Sequence, residues 1–525
     1  MCIRDSPVID IRRKGKTIPA RLRYLQLWTG IDAVMEEAIR FRDDRLAHSR
    51  RFEKLVEQAS LLMSQRHLLH QSFQSFLAAT FWCDTAEPIS TEDDPNAIHG
   101  ATHGTDWFSV WDGPRLRHGA LSIETCIAPL YLTLWPYLLS IQFDQWAEFQ
   151  IGHDRSGGAY LGADVGAGLK LTGQAHPHDT PVQTASEFLL LMQAYAHWTG
   201  DLQPVKRHIE LIDKLARYLI WCDREGSGFA SEGIANSLDE AGPSMRAGRK
   251  LTFMAVKRLS ALRAAEDLLS LTGRDAAAKT CDKVVAADAA KIEARAWLGD
   301  HYAVNVDRAS SGDGWGRGTT SEREPTASGW DAYTIHTGDG LLLPALCGQP
   351  PLLEEERLAQ DLLSVLRETL GAYGCGHSSA DPENVWVSHN VWRDALARYM
   401  GVSTLPVAPR YWDLQVMSNT GQQSLGFCDS YVQGSLAFSP AGVASLAYLL
   451  SGPRIVIDKL APGGARIGVT PDRGWPQRWP LLPLGDWRAG KIPVCVVSAK
   501  GVVSIECEID PVIVHSDTAP TEVIG

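Results

Sequence analysis

The chain has 525 residues, too many for one core of ordinary size, and its 45% apolar and 21% charged content is that of an ordinary globular protein. A net charge of −12 excludes the basic surface needed to displace counterions from a phosphate backbone, so nucleic acid is not an expected partner. No uninterrupted apolar run reaches the roughly 18 residues of a membrane-spanning helix, so no membrane partner is expected.

In chain order, Pro7-Val-Ile-Asp-Ile-Arg and Ile18-Pro-Ala-Arg-Leu-Arg-Tyr-Leu-Gln-Leu27 read as strands. They are taken as the end of a truncated N-terminal β domain over residues 1–28, with an apolar face left loosely packed. From 31 to about 64, Val34, Ala38, Phe41, Phe52, Leu55 and Val56 recur at helical spacing amid heavy charge, which predicts linker helices. Helical runs follow at 66–83, 120–149, 183–199, 205–222, 250–272, 275–298, 353–371, 388–400 and 441–450. Short links such as Thr199-Gly-Asp-Leu-Gln-Pro204 and Thr272-Gly-Arg-Asp275 fold consecutive helices into antiparallel hairpins. Residues 29–450 therefore read as linker helices and an (α/α)6 barrel with its site on the long-loop side. After Leu450 the period changes to two, at 454–460, 465–469, 493–498 and 502–509, which predicts a C-terminal β module over 451–525. The fold class is mainly α.

The ten cysteines contain no C-x-x-C pair, a pattern of buried free thiols in a reducing, cytoplasmic setting. Seventeen tryptophans provide rings that can stack on sugars or pack in a core. His176-Pro-His178-Asp179 reads as a surface loop in preference to a metal site.

Acidic, amide and aromatic residues cluster in the loops just before long helices. Trp107-Phe-Ser-Val-Trp111-Asp112-Gly113 precedes one, and Ala235-Asn236-Ser-Leu-Asp239 precedes another. Side chains on loops of a rigid scaffold suggest an enzyme cleft. Read from residue 7 to about 450, these motifs resemble the catalytic part of glycoside hydrolase family 52, the β-xylosidases, and more loosely the family 116 β-glucosidase and glucosylceramidase group. Trp111-Asp112-Gly113 is similar to that family's Asn-Glu-Gly nucleophile turn. Ala235-Asn236-Ser-Leu-Asp239 is similar to its Tyr-Asp-Ser-Leu-Asp acid segment. Asp164-Val-Gly166, Asn390-Val-Trp392, Cys428-Asp429-Ser-Tyr and Phe438-Ser-Pro-Ala-Gly-Val-Ala-Ser445 also resemble segments of the family. Trp330-Asp331-Ala-Tyr-Thr-Ile-His336-Thr-Gly-Asp339 is similar to the sugar-lining loops of such barrels.

The resemblance implies a glycosidase acting on β-xylosides or related small β-glycosides, with no metal or organic cofactor. Its partner is a small carbohydrate, and a homo-oligomer is compatible with it. Two departures bear on mechanism. Asp112 is one methylene shorter than a Glu, a retraction of about 1.5 Å. Asn236 has no acid proton, so Asp239 is the expected donor opposite Asp112. The expected site is catalytic Asp112, Asp239 and Asn236, with Trp111, Asp164, His336, Asp339, Trp392 and Asp429 binding the sugar. Other readings stay open. Asp112-Gly113 is also a turn signal, and Asn236 with Asp239 is also a helix cap. A sugar-binding pseudoenzyme, or another carbohydrate-active enzyme of this fold, fits the same motifs.

Overall fold

A computed structural model of the chain describes residues 9–28, 30–85, 106–112, 115–238, 241–246, 248–306, 329–404, 407–421, 426–432, 434–472, 475–506, 512–515 and 522–524. Strands β1 (Ile9–Arg13) and β2 (Lys16–Leu22) form a hairpin over Lys14 and Gly15, both in the left-handed region at φ 48° and 71°. Such a two-residue turn matches the strand twist. β2 pairs with β3 (Thr80–Asp84), which pairs with β4 (Asp106–Asp112) and through it β5 (Arg117–His118). A second hairpin, β6 (Gln150–His153) and β7 (Gly158–Leu161), precedes β8 (Lys170–Leu171), which closes the six-stranded order β5-β4-β3-β2-β1-β8.

That sheet corrects two expectations. The apolar face of the first strands is not loose, because Ile9 and Ile11 are fully buried between β2 and β8. Residues 106–112 are not a loop but a central strand, in which Trp107, Phe108 and Val110 are buried.

The helices are α1 (Tyr24–Leu27), α2 (Ile31–Arg40), α3 (Arg42–Gln58), α4 (Met63–Ala79), α5 (Leu121–Leu134), α6 (Pro136–Ala147), α7 (Pro181–Thr199), α8 (Gln203–Arg207), α9 (Ile209–Trp221), α10 (Pro243–Arg246), α11 (Thr252–Leu271), α12 (Asp275–Ala296), α13 (Leu342–Leu346), α14 (Glu355–Thr369), α15 (Val387–Tyr399), α16 (Ala408–Gly421) and α17 (Ala447–Ser451). The run expected at 120–149 breaks at Trp135, because Pro136 has no N–H to continue α5 and starts α6 instead. The short glycine links behave as expected. α7 ends at Gly200 and α11 is followed by Gly273, both at φ 75°, which lets each chain reverse into α9 and α12.

Burial separates inner from outer helices. α7 is buried all round from Pro181 to Trp198, whereas α9 buries only one face, through Leu211, Ile212, Leu215 and Leu219. α5 packs on α7, α7 on α11 and α13, α13 on α15, and α15 on α17 and α5, which closes the ring. The ring ends nearest the cleft carry a four-stranded sheet, β9 (Gly376–Ser378), β10 (Asp381–Trp386), β11 (Cys428–Val432) and β12 (Ser435–Phe438), in the order β12-β11-β10-β9. The C-terminal strands form two small sheets, as the period-two pattern predicts: Val456–Asp458 with Arg466–Gly468, and Gln477–Pro480 with Val494–Val497 and Val503–Glu506. No helix among the described residues is long and apolar enough to cross a membrane.

Candidate active site

A cleft opens where β4 and β5, the N-terminus of α7, the N-terminus of α15, and β11–β12 meet. Its two walls are built differently.

The strand wall carries Asp112 and Arg117, directly paired across β4 and β5. Asp112 Oδ1 accepts from the Arg117 backbone N–H at 2.9 Å, Oδ2 accepts from Arg117 Nε at 3.0 Å, and Arg117 Nη2 forms an ion pair with Oδ2 at 2.9 Å. Burial raises the Asp112 carboxyl, and the Arg117 contacts pull it back. Behind this wall Asp164, 1% exposed, accepts the backbone N–H groups of Gly166 (3.0 Å), Ala175 (2.7 Å) and His176 (2.8 Å). Gly166 is required there, since at φ 135° a Cβ would meet the Lys170 carbonyl oxygen at 2.2 Å. The loop so held delivers His176 to the cleft. His176 is thus a buried wall residue, not the exposed loop residue expected.

The helix wall begins at Thr180, where Pro181 occupies the first position of α7. Gln183, Thr184 and Glu187 then face the cleft. Gln183 Nε2 donates to Glu187 Oε1 at 2.9 Å, four residues on, and to Ser237 Oγ at 2.8 Å. Lys257 of α11 donates to the same Glu187 Oε1 at 3.1 Å, with both side chains almost wholly buried. Burial raises Glu187, and Lys257 and Gln183 oppose it. Burial alone would lower Lys257, but Glu187 and Asp339 raise it, so its ammonium form is favoured. Glu187 Oε2 and the Trp386 indole N–H are buried without a hydrogen-bond partner among the described residues. Beside them Asp429 of β11 accepts from the Ser388 backbone N–H (2.8 Å) and hydroxyl (2.9 Å) at the start of α15. Burial pushes its carboxyl up to about 6 against those two bonds.

Under Trp386 lies a chain of imidazoles. His336 bridges Asp339 Oδ2 (2.9 Å from Nδ1) and His377 (2.6 Å from Nε2), and His389 Nδ1 is 3.8 Å from Asp339 Oδ2. Burial pushes His389 down to about 3, helped by His336 and Lys257, and holds His377 low as well. Burial would raise Asp339, but His336, Lys257 and His389 outweigh it. His336, Asp339 and His389 offer ligand atoms within 4.8 Å of one another, a set able to hold a metal ion. The Lys257 ammonium, however, already supplies the positive charge beside that carboxylate.

Among the expected site residues, Asp112 and Asp429 line the cleft. Asp239 lies outside the described residues. Asn236 is a correction. It is fully buried, with its amide oxygen accepting from Leu238 N–H (2.9 Å) and its amide nitrogen donating to the Met245 carbonyl (3.2 Å), so it fastens the loop and presents nothing to a substrate. Trp392 is likewise buried and donates to the Asp339 carbonyl at 3.1 Å. Trp111 packs beside His118 and does not line the cleft. Asp164, His336 and Asp339 act from behind the walls. Sequence reasoning missed Gln183, Glu187, Lys257, Trp386 and Ser388. The one signal for Glu187 was a carboxylate inside an otherwise apolar helical run.

Residues 121–316 match the family described as the Glutaminase A six helical-hairpin domain, so the chain carries a six-hairpin fold, mainly helical, with N-terminal strands and small C-terminal sheets. No curated protein matches the chain. Similar solved structures include a rhamnosidase from Klebsiella oxytoca with rhamnose bound (12% identity, TM-score 0.45, covering 75% of this chain and 65% of that one). A GH78 family rhamnosidase of Bacillus sp. GL1 gives 14% identity and TM-score 0.44, over 79% of this chain and 44% of that one. A GH63 mannosylglycerate hydrolase from Thermus thermophilus in complex with glucose gives 13% identity and TM-score 0.41, over 73% of this chain and 99% of that one. The chain spans less than two thirds of the length of either rhamnosidase.

Proposed function

We propose that the chain is a glycoside hydrolase acting on a small β-linked glycoside, with β-xylosides the first substrates to try, and that Asp429 is its proton donor. The observation that carries this reading is Asp429 itself, a buried cleft carboxyl whose pKa is pushed up to about 6, so that it keeps a transferable proton near neutral pH. The unpartnered Glu187 Oε2 and Trp386 N–H add one acceptor and one donor, the pair that a sugar hydroxyl satisfies. In the reaction the glycosidic C–O bond breaks, the leaving oxygen takes the Asp429 proton, and water gives its hydroxyl to the anomeric carbon while its remaining proton restores the Asp429 carboxyl. Free, buried cysteines are consistent with a reducing compartment.

The test is a panel of aryl and alkyl β-glycosides, assayed with glutamine alongside. Release of the aryl alcohol supports the reading, with Asp429→Asn losing about 10²- to 10⁴-fold on alkyl glycosides and far less on aryl ones. Saturable sugar binding without turnover gives the pseudoenzyme instead. Ammonia release from glutamine without glycoside turnover gives an amide hydrolase, which the family match makes the second reading.

A further inference from the structure

Two carboxylates other than Asp429 line the cleft, and they differ in what remains free. Both oxygens of Asp112 are engaged by Arg117, Oδ1 by the backbone N–H and Oδ2 by the Nε N–H and the Nη2 ion pair. A charge-assisted Arg contact of that kind is among the stronger polar contacts, and a substrate would have to break it. Glu187 is arranged otherwise. Lys257 and Gln183 both bind Oε1, and Oε2 is buried without a hydrogen-bond partner at the cleft lining. Lys257 is a single point charge on a buried stem, so it neutralises Glu187 without covering both oxygens.

We infer that Glu187, not Asp112, is the carboxylate that faces the anomeric carbon, and that Lys257 is the positioning residue that keeps Glu187 ionised and its second oxygen turned to the substrate. The inference rests on the glycosidase reading and replaces the residue that the family resemblance implies. The charged groups that act on Glu187 are Lys257 from α11 and Asp339 from the loop before α13, and Cys126 of α5 feels both Glu187 and Asp429 of β11. Asp339 also raises Lys257, so the ammonium answers to a carboxylate behind the cleft as well as to the one within it. Negative charge on Oε2 then lies where a transition state of oxocarbenium character develops its positive charge.

The test compares Glu187→Gln, Asp112→Asn, Lys257→Met and Lys257→Arg. Turnover of the best aryl glycoside and calorimetric binding of a cationic imino-sugar are both measured across pH. Glu187→Gln is expected to lose at least about 10³-fold in kcat and most imino-sugar affinity, and Asp112→Asn less than about tenfold in either. Lys257→Met is expected to move the acidic limb of kcat/KM to higher pH, because Glu187 then loses the charge that favours its ionised form, and Lys257→Arg to restore part of that shift. Equal losses in Glu187→Gln and Asp112→Asn, or an unmoved acidic limb in a folded Lys257→Met, overturn the inference while leaving a glycosidase. A wild-type protein that neither cleaves any aryl glycoside nor binds the imino-sugar overturns the glycosidase reading and the inference with it.

Discussion

The strand wall and the helix wall of the cleft use the same residue types to opposite ends. On the strand side, Asp112 and Asp164 have their oxygens taken by the protein's own donors, Arg117 in one case and three backbone N–H groups in the other. On the helix side, Glu187 keeps one oxygen unpartnered, and Asp429, although both its oxygens accept from Ser388, has only those two neutral donors to offset its burial. A carboxylate held by a cation or by three N–H groups holds a fold together, and one with an unpartnered oxygen, or with a single neutral residue against its burial, is available to a ligand or to a proton. The contrast therefore separates scaffold from chemistry.

The largest effect that sharpens the contrast is on activity. Asp429→Asn should cost about 10²- to 10⁴-fold on poor leaving groups while leaving the unfolding free energy within about 1 kcal/mol, since an amide still accepts from Ser388. Equal loss on good and poor leaving groups would show that Asp429 binds and does not donate. The next effect is on stability. Asp164→Ala removes the acceptor of three backbone N–H groups, those of buried Gly166 and His176 and of exposed Ala175, and should cost about 3 kcal/mol in chemical denaturation, with activity falling through displaced His176. A loss under about 1 kcal/mol would place Asp164 with the partly satisfied helix-wall groups and break the contrast.

The smallest effect lies away from the cleft. His197 of α7 is held between Asp267 (2.6 Å) and Asp458 (2.7 Å), joining the barrel to the first C-terminal strand. Burial alone would lower it, but the two carboxylates raise it to about 8. A raised folded pKa means the stabilisation is fully present below the unfolded value of about 6.5 and is lost as pH rises through about 8. Its size is at most about 2 kcal/mol. Wild type should lose that amount between about pH 6 and 9, and His197→Gln should lose none of it. Parallel pH dependence of the two proteins would contradict the clamp.

Much of this architecture was legible in the sequence, because helical period and short glycine links are local signals. The hairpins through Gly200 and Gly273 and the inner run of α7 follow from them. β4 was not legible, since its partner β3 is more than twenty residues away and pairing of that kind leaves no local mark. Helix α16 was also missed, its sequence offering little apolar periodicity. Of the site, Asp429 and Asp112 came from resemblance, and both line the cleft. Glu187 hid inside an apolar helix, where a lone charge reads as noise until Lys257 is seen seventy residues on. His336, His377 and His389 come together only through tertiary folding. Asn236 misled because a loop-fastening amide and a substituted acid look alike in one dimension.

The most direct test of the central claim is the pH dependence of kcat/KM for the best aryl β-glycoside, in wild type and in Asp429→Asn. A donor with its pKa near 6 must be protonated to act, so wild-type kcat/KM should fall about tenfold per pH unit above that value, and the variant should lose this limb while keeping a residual rate. A basic limb that survives unchanged in Asp429→Asn would assign the proton to another group and contradict the account.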